Sequence, residues 1–229
     1  MLGLREKLHR FVAPNGEERA IDCGTGTGPL ALALAPLVRE VVAVDLVPEM
    51  LEQGRRRARE VPNVHFVLGD ALALPCESGS FDLAGSSRTL HHLERPDLAL
   101  AELARVTRGG GRLLVVDQLA SADPREAEAH DRIERLRDAS HARTLSDSEL
   151  RALVAKCELE LERAEIELEE RELGEFLDLA GCVGHERRRV LDYVEELVGC
   201  GEKAGIDLRR AGGSYAFTSR IGWFLASKP

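Results

Sequence analysis

The sequence predicts an α/β protein in which helices cover both faces of a mostly parallel, doubly wound sheet. Short apolar segments alternate with amphipathic helical patterns through the first half of the chain. Several of these segments, such as Val41-Val42-Ala43-Val44, are apolar without alternation, which is typical of strands buried on both faces of a parallel sheet. Right-handed crossovers then place ligands at the carboxyl ends of the strands.

The apolar and turn patterns predict seven strands in chain order. A first helix carries Leu4, Leu8 and Phe11 on one face, and Pro14-Asn15-Gly16 ends it. The predicted strands are 19–23, 40–45, 64–68, 81–86, 112–117, 159–170 and 215–226, and the predicted helices that follow or separate them are 29–37, 48–60, 96–107, 123–138, 176–179 and 190–198. We expect Gly109-Gly110-Gly111 to close the helix over 96–107.

Three further features belong to the second half of the chain. Ser146 and Glu149 predict a capping box at the start of another helix. The strand over 159–170 has a possible register slip near Ala164. We expect the final strand to be antiparallel to its neighbours.

Length, charge and cysteine usage limit the class of protein. The 229 residues form one predicted domain, 1–229, because no Pro- or Gly-rich linker divides them. A net charge of -9 argues against a nucleic-acid partner. The longest apolar run, 29–38, is half the length of a membrane span, and no signal peptide is visible, so we expect no membrane insertion. Five cysteines without a CxxC pair indicate reduced thiols in a cytoplasmic protein and no metal site.

A glycine-rich turn, Asp22-Cys23-Gly24-Thr25-Gly26-Thr27-Gly28, joins the first strand to the next helix. Glycines in this context let the backbone approach a ligand closely. Dinucleotide enzymes use the related pattern GxGxxG, in which a pyrophosphate rests on the helix N-terminus. Here the third glycine comes one residue early, and Asp22 would repel a pyrophosphate. The turn therefore favours a ligand that carries an ammonium group, and a nucleotide-cofactor (NAD-type) oxidoreductase is the alternative.

Two further acidic residues follow the next strands. Asp45 ends the second strand, where a carboxylate can accept both hydrogens of a ribose diol, although it could instead cap the following helix. Asp70 follows the third strand and could accept a hydrogen bond from an adenine amino group while the amide of Ala71 donates to a ring nitrogen. The alternative for Asp70 is a simple turn residue.

Four stretches carry a family resemblance, and together they span Arg19 to Asp117. AIDCGTGTGPLALALA, VVAVDLVPEML, HFVLGDALALPCESGSFDL and LHHLERPDLALAELARVTRGGGRLLVVD resemble the successive motifs of class I S-adenosylmethionine-dependent methyltransferases, closest to the ubiquinone/menaquinone-biosynthesis ("type 11") group. The resemblance implies a Rossmann-like, mostly parallel sheet of seven strands. It also implies S-adenosylmethionine as cofactor, S-adenosylhomocysteine as product and a small-molecule acceptor.

The resemblance also implies roles for individual residues. Asp22 and Gly24 are expected near the methionyl end, Asp45 on the ribose, Leu46 on the adenine face, Asp70 and Ala71 at the adenine edge, and Ser86 or Ser87 near the sulfonium. Thr25, Gly26 and Gly28 complete the predicted cofactor-binding turn. Thr25 stands where the family often has Cys, which is a conservative change.

Candidate catalytic residues follow the fourth strand. Arg88, His91 and His92 lie at the open end of the crevice, and a histidine near its ordinary pKa of about 6.5 can act as a general base. The alternative is that the two histidines only shape the pocket.

The segment 123–145 is a predicted helical cap over the active site. His130 and Arg137 are two helical turns apart and share a face, and with His141 they are candidates for contact with a polar or anionic substrate. The alternative is that Arg137 pairs with Glu134 or Asp138.

Three functional hypotheses follow from these patterns. The first is methyl transfer to a small molecule by in-line displacement, in which positioning provides most of the catalysis. The second is the NAD-type oxidoreductase, and the third is a non-catalytic S-adenosylmethionine-binding partner subunit. For each of them we expect a monomer or a homodimer.

Overall fold

The alternation of apolar and amphipathic segments produces a layered structure. The computed structural model describes residues 2–229. Its elements in this part of the chain are α1 (Leu2–Val12), β1 (Arg19–Cys23), α2 (Pro29–Leu34), β2 (Glu40–Asp45), α3 (Pro48–Arg57), β3 (Val64–Leu68), β4 (Phe81–Ser87), α4 (Pro96–Val106), β5 (Thr107–Gln118), α5 (Pro124–Arg137), α6 (Asp147–Lys156), β6 (Glu160–Glu172), α7 (Leu173–Leu179), α8 (Gly184–Gly199), β7 (Arg209–Ala211) and β8 (Ser214–Ser227). Short 3-10 turns cover Ala35–Leu37 and Leu90–His92.

One sheet runs through the molecule in the order β3-β2-β1-β4-β5-β8-β6. Strands β1 to β5 pair in parallel, and β8 is antiparallel to its neighbours β5, β6 and β7. This confirms the predicted mostly parallel sheet with an antiparallel last strand. The strand order reverses between β1 and β4, and in such sheets the ligand crevice opens at that reversal, beyond the carboxyl ends of the strands.

Both faces of the central strands β1, β2, β4 and β5 are buried, as their apolar sequences predict, whereas edge strand β6 is largely exposed. Neighbouring residues in one strand belong to different core clusters: Ile21 packs on one face and Ala20 on the other. Val42 and Val41 alternate between the same two clusters. Because helices cover both faces, the carboxyl ends of the strands are the place where polar groups can meet a ligand.

The three consecutive glycines after α4 do not close that helix as expected. Thr107 already pairs with Phe81, and Arg112 then pairs with Leu83, so residues 108–111 bulge out of β5 opposite a single residue of β4. Gly110 has φ +72°, a conformation that favours glycine. The glycines therefore form a bulge inside a longer fifth strand.

An eighth strand, β7, extends the sheet beyond the seven predicted strands. It pairs with β8 through Ala211 and Ser214, so only Gly212 and Gly213 form the turn. Both glycines have positive φ, +54° and +85°, as a two-residue hairpin turn of type I′ requires. The Gly-Gly dipeptide was thus a hairpin signal that the sequence interpretation missed.

The predicted capping box and register slip are both present. Ser146 and Glu149 exchange side-chain and backbone hydrogen bonds at the start of α6. Strand β6 changes register between Leu161 and Arg163, close to the predicted position. Within residues 2–229, no helix has both the length and the apolar character needed to cross a membrane.

A third core cluster joins α5 to the last helices. Ile133 of α5 packs with Leu177 of α7, Val190 and Val194 of α8, and Phe217 of β8. The helix therefore has its own apolar support beside the main sheet. From its C-terminal end the chain returns toward the carboxyl ends of β4 and β5.

Candidate active site

The glycine-rich turn between β1 and α2 is held in one conformation. The amides of Gly24 and Thr25 both donate to the carbonyl of Val44 at 2.9 Å, which ties the turn to the end of β2. Gly24 has φ +69°, and a Cβ there would lie 2.1 Å from Cγ2 of Thr89. Only glycine fits at this position, because both the backbone conformation and the space exclude a side chain.

Asp22 lies beneath this turn and is almost fully buried. Its Oδ2 accepts hydrogen bonds from the Thr25 hydroxyl at 2.6 Å and from the Ala31 amide of α2 at 3.0 Å. Oδ1 has no hydrogen-bond partner within residues 2–229. Burial raises the pKa of Asp22 to about 7. Asp22 therefore braces the turn against α2, and its expected place near a methionyl group stays a prediction.

Asp45 connects the glycine turn to the chain that follows β2. Its Oδ2 accepts from the amide of Gly26 at 2.7 Å, and its Oδ1 accepts from the amide of Val47 at 2.9 Å. The side chain does not cap α3, which is the alternative considered for this residue. Each carboxylate oxygen can accept a further hydrogen bond from a ligand.

Asp70 lies two residues beyond the end of β3, whose last residue, Leu68, pairs with Asp45. The amide of Gly69 donates to the carbonyl of Asp45 at 3.0 Å, which joins the two strand ends. Oδ1 of Asp70 accepts from the amide of Leu72 at 2.8 Å. In residues 2–229, neither Oδ2 of Asp70 nor the amide of Ala71 has a hydrogen-bond partner. One acceptor and one donor are thus available side by side.

A cavity of about 400 Å³ opens at these strand ends. It is lined by residues from the glycine turn, the ends of β2 and β3, the segment after β4 and the segment after α5: Gly24, Gly26, Asp45, Leu46, Val47, Met50, Gly69, Asp70, Ala71, Arg88, Thr89, His92, Leu93 and Ser140. Eight predicted site residues lie in this lining: Gly24, Gly26, Asp45, Leu46, Asp70, Ala71, Arg88 and His92. The remaining predicted residues lie behind it or outside it.

Sequence reasoning missed several lining residues. Val47, which precedes α3, and Met50, in its first turn, are apolar side chains exposed beside Leu46. The signal available in the sequence was the presence of apolar residues at the start of an otherwise polar helix. Thr89 was detectable only as a neighbour of Arg88. Ser140 carried no signal, because tertiary packing alone brings it to the cavity.

The two predicted serines of β4 are placed behind the cavity lining. Ser86 is buried, and its hydroxyl donates to the carbonyl of Cys23 at 3.1 Å, which links β4 to β1. Ser87 follows at the strand end, where its carbonyl lies 3.1 Å from the Thr89 hydroxyl, which shares its one proton between this carbonyl and that of Gly24 at 3.0 Å. Their expected place near a sulfonium stays a prediction.

His91 and His92 are neighbours with different surroundings. His91 is buried, and its Nδ1 lies 2.5 Å from Oδ1 of Asp117 at the end of β5. Burial opposes protonation of His91, but the Asp117 carboxylate outweighs it and raises the pKa of His91. His92 is half-buried and lines the cavity. Burial and the neighbouring His91 lower the pKa of His92.

Arg88 takes a strained backbone conformation at the edge of the cavity. Its φ is +54°, in the left-handed region, and its amide donates to the carbonyl of Val116 at 2.7 Å. Its guanidinium pairs with Glu169 of β6 at 3.2 Å. A non-glycine residue with positive φ beside a cavity is typical of functional sites.

The three candidate substrate residues of the segment 123–145 are engaged with acidic partners of the same segment. His141 is buried and lies 2.9 Å from Oδ1 of Asp131. Arg137 donates to Glu134 at 2.7 Å, which is the pairing considered as the alternative, and Nε2 of His130 lies 3.6 Å from the same carboxylate group. Burial opposes ionisation, but His130 and Arg137 lower the pKa of Glu134 to about 2. Substrate contact by these residues stays a prediction.

Comparison with known proteins gives consistent relatives. A family described as a methyltransferase domain matches residues 21–115. The uncharacterized methyltransferase YcgJ of Bacillus subtilis is 40% identical over 145 residues, which are 62% of this chain and 57% of that protein. A demethylmenaquinone methyltransferase of Clavibacter sepedonicus is 42% identical over 108 residues, 47% of this chain and 44% of that protein. The matched segments thus span about half the length of these curated relatives.

Comparison with solved structures extends the likeness to the whole chain. The crystal structure of the YcgJ protein from Bacillus subtilis superimposes with a TM-score of 0.91 and 27% sequence identity, and covers 100% of this chain and 99% of that chain. The motifs, the sheet and these relatives therefore agree: residues 21–115 match a methyltransferase domain, and the whole chain is similar in fold to the YcgJ protein.

Proposed function

We propose that the chain is an enzyme that binds S-adenosylmethionine and transfers its methyl group to a small-molecule acceptor. The observation that carries the proposal is that Gly24, Asp45 and Asp70 line one and the same cavity of about 400 Å³. They come from the ends of three different strands, in the order that the family motifs prescribe. A cavity of this size is in the range of small-molecule sites.

The lining fits each part of an adenosine group. Asp45 has one acceptor position left on each oxygen for a ribose diol. The free Oδ2 of Asp70 and the free amide of Ala71 match the amino group and ring nitrogen of adenine. Leu46 and Met50 are 64% and 41% exposed, and a planar base resting on them would remove apolar surface from water.

The glycine turn also weighs against the dinucleotide alternative. In dinucleotide enzymes the free amides at the start of the first helix hold a pyrophosphate. Here Asp22 already accepts from the Ala31 amide of α2, so a carboxylate occupies part of the position that a pyrophosphate needs. An anionic ligand at that place would meet like charge whenever Asp22 is ionised.

The acceptor is proposed to bind where Arg88 and His92 line the cavity. The bound cofactor supplies a methyl group on a positively charged sulfur, which is already activated for displacement. The chain's own task is to hold the acceptor in line and, when the acceptor atom carries a proton, to take up that proton. His92 suits this task better than His91, because it lines the cavity while His91 is buried against Asp117.

We further propose that the segment 123–145 acts as a cap that shapes the acceptor site, since Ser140 lies in the cavity lining. The amides of Ala142 and Arg143 donate to the carbonyl of His91 at 2.9 and 3.1 Å, so this segment is attached to the same turn. The five free cysteines support a reducing, cytoplasmic location.

Calorimetric titration of the purified chain tests the cofactor. We expect S-adenosylmethionine and S-adenosylhomocysteine to bind and NAD to give no heat of binding. Binding of NAD without binding of S-adenosylmethionine would overturn the proposal. Release of S-adenosylhomocysteine in the presence of a panel of small hydroxyl, amine and quinol acceptors then separates an enzyme from a non-catalytic partner subunit, which would bind the cofactor but turn over none of the panel.

A further inference from the structure

A chain of three side chains leads from the segment after α5 to the cavity. The hydroxyl of Ser140 lies 2.9 Å from Nδ1 of His92, and it donates to Oδ1 of Asp138 at 2.6 Å. The amide of Ser140 donates to the same oxygen of Asp138 at 2.9 Å. Ser140 and His92 are 48 residues apart in sequence, so the fold alone brings them together.

The direction of these hydrogen bonds follows from counting protons. A serine hydroxyl has one proton to donate. Burial opposes ionisation of Asp138, but the two hydrogen bonds from Ser140 outweigh it and lower the pKa of Asp138, so its carboxylate is ionised and can only accept. The hydroxyl proton is therefore committed to Asp138. Toward His92 the Ser140 oxygen must accept, and Nδ1 of His92 must carry the hydrogen.

We propose that Ser140 and Asp138 are positioning residues that hold His92 in the Nδ1–H tautomer and leave Nε2 with a free lone pair at the cavity. Within residues 2–229, Nε2 of His92 has no hydrogen-bond partner, whereas Nδ1 is engaged. Free histidine in water favours the opposite tautomer, with the hydrogen on Nε2. The pair thus selects the form in which the exposed nitrogen can accept a proton.

The surroundings keep this imidazole neutral. The titratable groups that act on His92 are His91, Asp117 and Asp138, and Arg88 lines the same cavity. His91 with its raised pKa disfavours a second positive charge at a ring-centroid distance of 4.2 Å. A neutral imidazole with a defined tautomer is the state that a general base requires.

The catalytic use of this arrangement rests on the proposed methyl transfer, whereas the tautomer is a property of the chain itself. In the transfer, the acceptor atom bonds to the methyl carbon, the carbon–sulfur bond breaks with its electron pair left on sulfur, and the acceptor's proton moves to Nε2 of His92. The imidazolium then releases that proton to solvent. Ser140 and Asp138 do not touch the reacting atoms and act only through His92.

Nitrogen NMR of the full chain tests the proposal without any acceptor. Long-range proton–nitrogen correlations, with His92 assigned by its loss in His92→Gln, report which ring nitrogen carries the hydrogen. We expect Nδ1–H in the wild type above the pKa of His92. We expect reversal toward Nε2–H in Ser140→Ala, retention of Nδ1–H in Ser140→Thr, and reversal in Asp138→Ala, which frees the serine hydroxyl to donate to the ring.

The outcomes separate this inference from the proposed function. Nε2–H in the wild type, or no change in Ser140→Ala, would refute the positioning role even if S-adenosylmethionine binds. The expected tautomers without cofactor binding would leave the positioning role intact and refute the function. Once an acceptor is identified, Ser140→Ala is expected to lower kcat about fivefold, with little change in KM for the cofactor. Fivefold is the decrease in the population of the Nδ1–H tautomer that the loss of one hydrogen bond of about 1 kcal/mol produces. Ser80→Ala, at the opposite end of β4, is the matched control.

Discussion

The fit of Gly24 against Thr89 is open to a quantitative test. In Gly24→Ala the new Cβ would lie 2.1 Å from Cγ2 and 2.5 Å from Oγ1 of Thr89, at a backbone φ of +69°. The left-handed conformation costs an alanine about 1 kcal/mol. Relief of the overlap costs about 1–3 kcal/mol more. Displacement of Thr89 also breaks its 3.0 Å hydrogen bond to the Gly24 carbonyl, which is worth about 1 kcal/mol.

Gly26→Ala is the matched control. Gly26 lies two residues further along the same turn with φ +54°, but a Cβ there meets nothing within 4 Å. This variant should lose only the conformational contribution of about 1 kcal/mol. Gly24→Ala is therefore expected to be less stable than Gly26→Ala by about 2–4 kcal/mol, with a melting temperature lower by about 2–4 °C for each kcal/mol.

Denaturant unfolding of the two variants and the wild type measures these differences as free energies of unfolding. A double variant, Gly24→Ala with Thr89→Ala, should recover part of the loss relative to Thr89→Ala, because the two closest contacts are removed and one at 2.8 Å remains. Equal stability of Gly24→Ala and Gly26→Ala would show that the steric argument is wrong. In that case, a loss of S-adenosylmethionine binding in Gly24→Ala would not by itself support the steric argument.

Three further predictions concern the carboxylates. Asp45→Asn should weaken S-adenosylmethionine binding about 10- to 100-fold by calorimetry, because one charge-assisted acceptor of the ribose is replaced by a donor. Asp117→Asn should lower the free energy of unfolding by about 3 kcal/mol, because it leaves buried His91 without its partner. The pKa of His91 is raised in the folded state, so the charged His91–Asp117 pair stabilises the fold fully below about pH 6.5. The stability that Asp117→Asn loses with this pair should therefore decline as the pH rises through the folded-state pKa of His91. The stability of Asp22→Asn relative to the wild type should increase as the pH rises from about 4 to about 7. In this range the unfolded wild type has released the Asp22 proton while the folded wild type still binds it, so the wild type loses stability as the pH rises and the variant does not.

Each of these has a contrary result. Unchanged affinity in Asp45→Asn would remove this carboxylate from the cofactor site. A stability loss in Asp117→Asn that is the same at low and high pH would mean that only its backbone hydrogen bonds matter. If the difference in stability between Asp22→Asn and the wild type does not change between about pH 4 and about pH 7, the pKa of Asp22 is not raised in the folded protein.

The parts of the fold that the sequence predicted are those with local causes. Burial on both faces produces the continuous apolar strands, and the spacing of Ser146 and Glu149 specifies a helix start. The eighth strand was missed although Gly212-Gly213 is a local hairpin signal, because β7 itself is only three residues long. The glycines before Arg112 were wrongly assigned to a helix end. A bulge depends on how a strand pairs with its neighbour, and the local sequence does not specify that pairing.

The site was predictable only where residues follow strands in chain order. Asp45 and Asp70 occupy strand ends, and parallel strands bring their carboxyl ends to one edge of the sheet. Ser140 reaches the same cavity from the far end of α5, through contacts that no local pattern encodes. The pairing of Arg137 with Glu134 was one of two open alternatives, and helical spacing alone could not decide between a neighbouring carboxylate and a ligand.

The two histidines show why adjacent residues of one motif acquire different roles. They occupy a 3-10 turn, Leu90–His92, where successive side chains point about a third of a turn apart, so both cannot face the cavity. Asp117 determines that His91 is the buried histidine. Its buried carboxylate accepts a hydrogen bond from the amide of Leu90 at 2.8 Å and contacts Nδ1 of His91. A buried carboxylate is stable only with such partners. The ionised Asp117 therefore requires His91 as a partner, and this requirement leaves His92 as the histidine that lines the cavity.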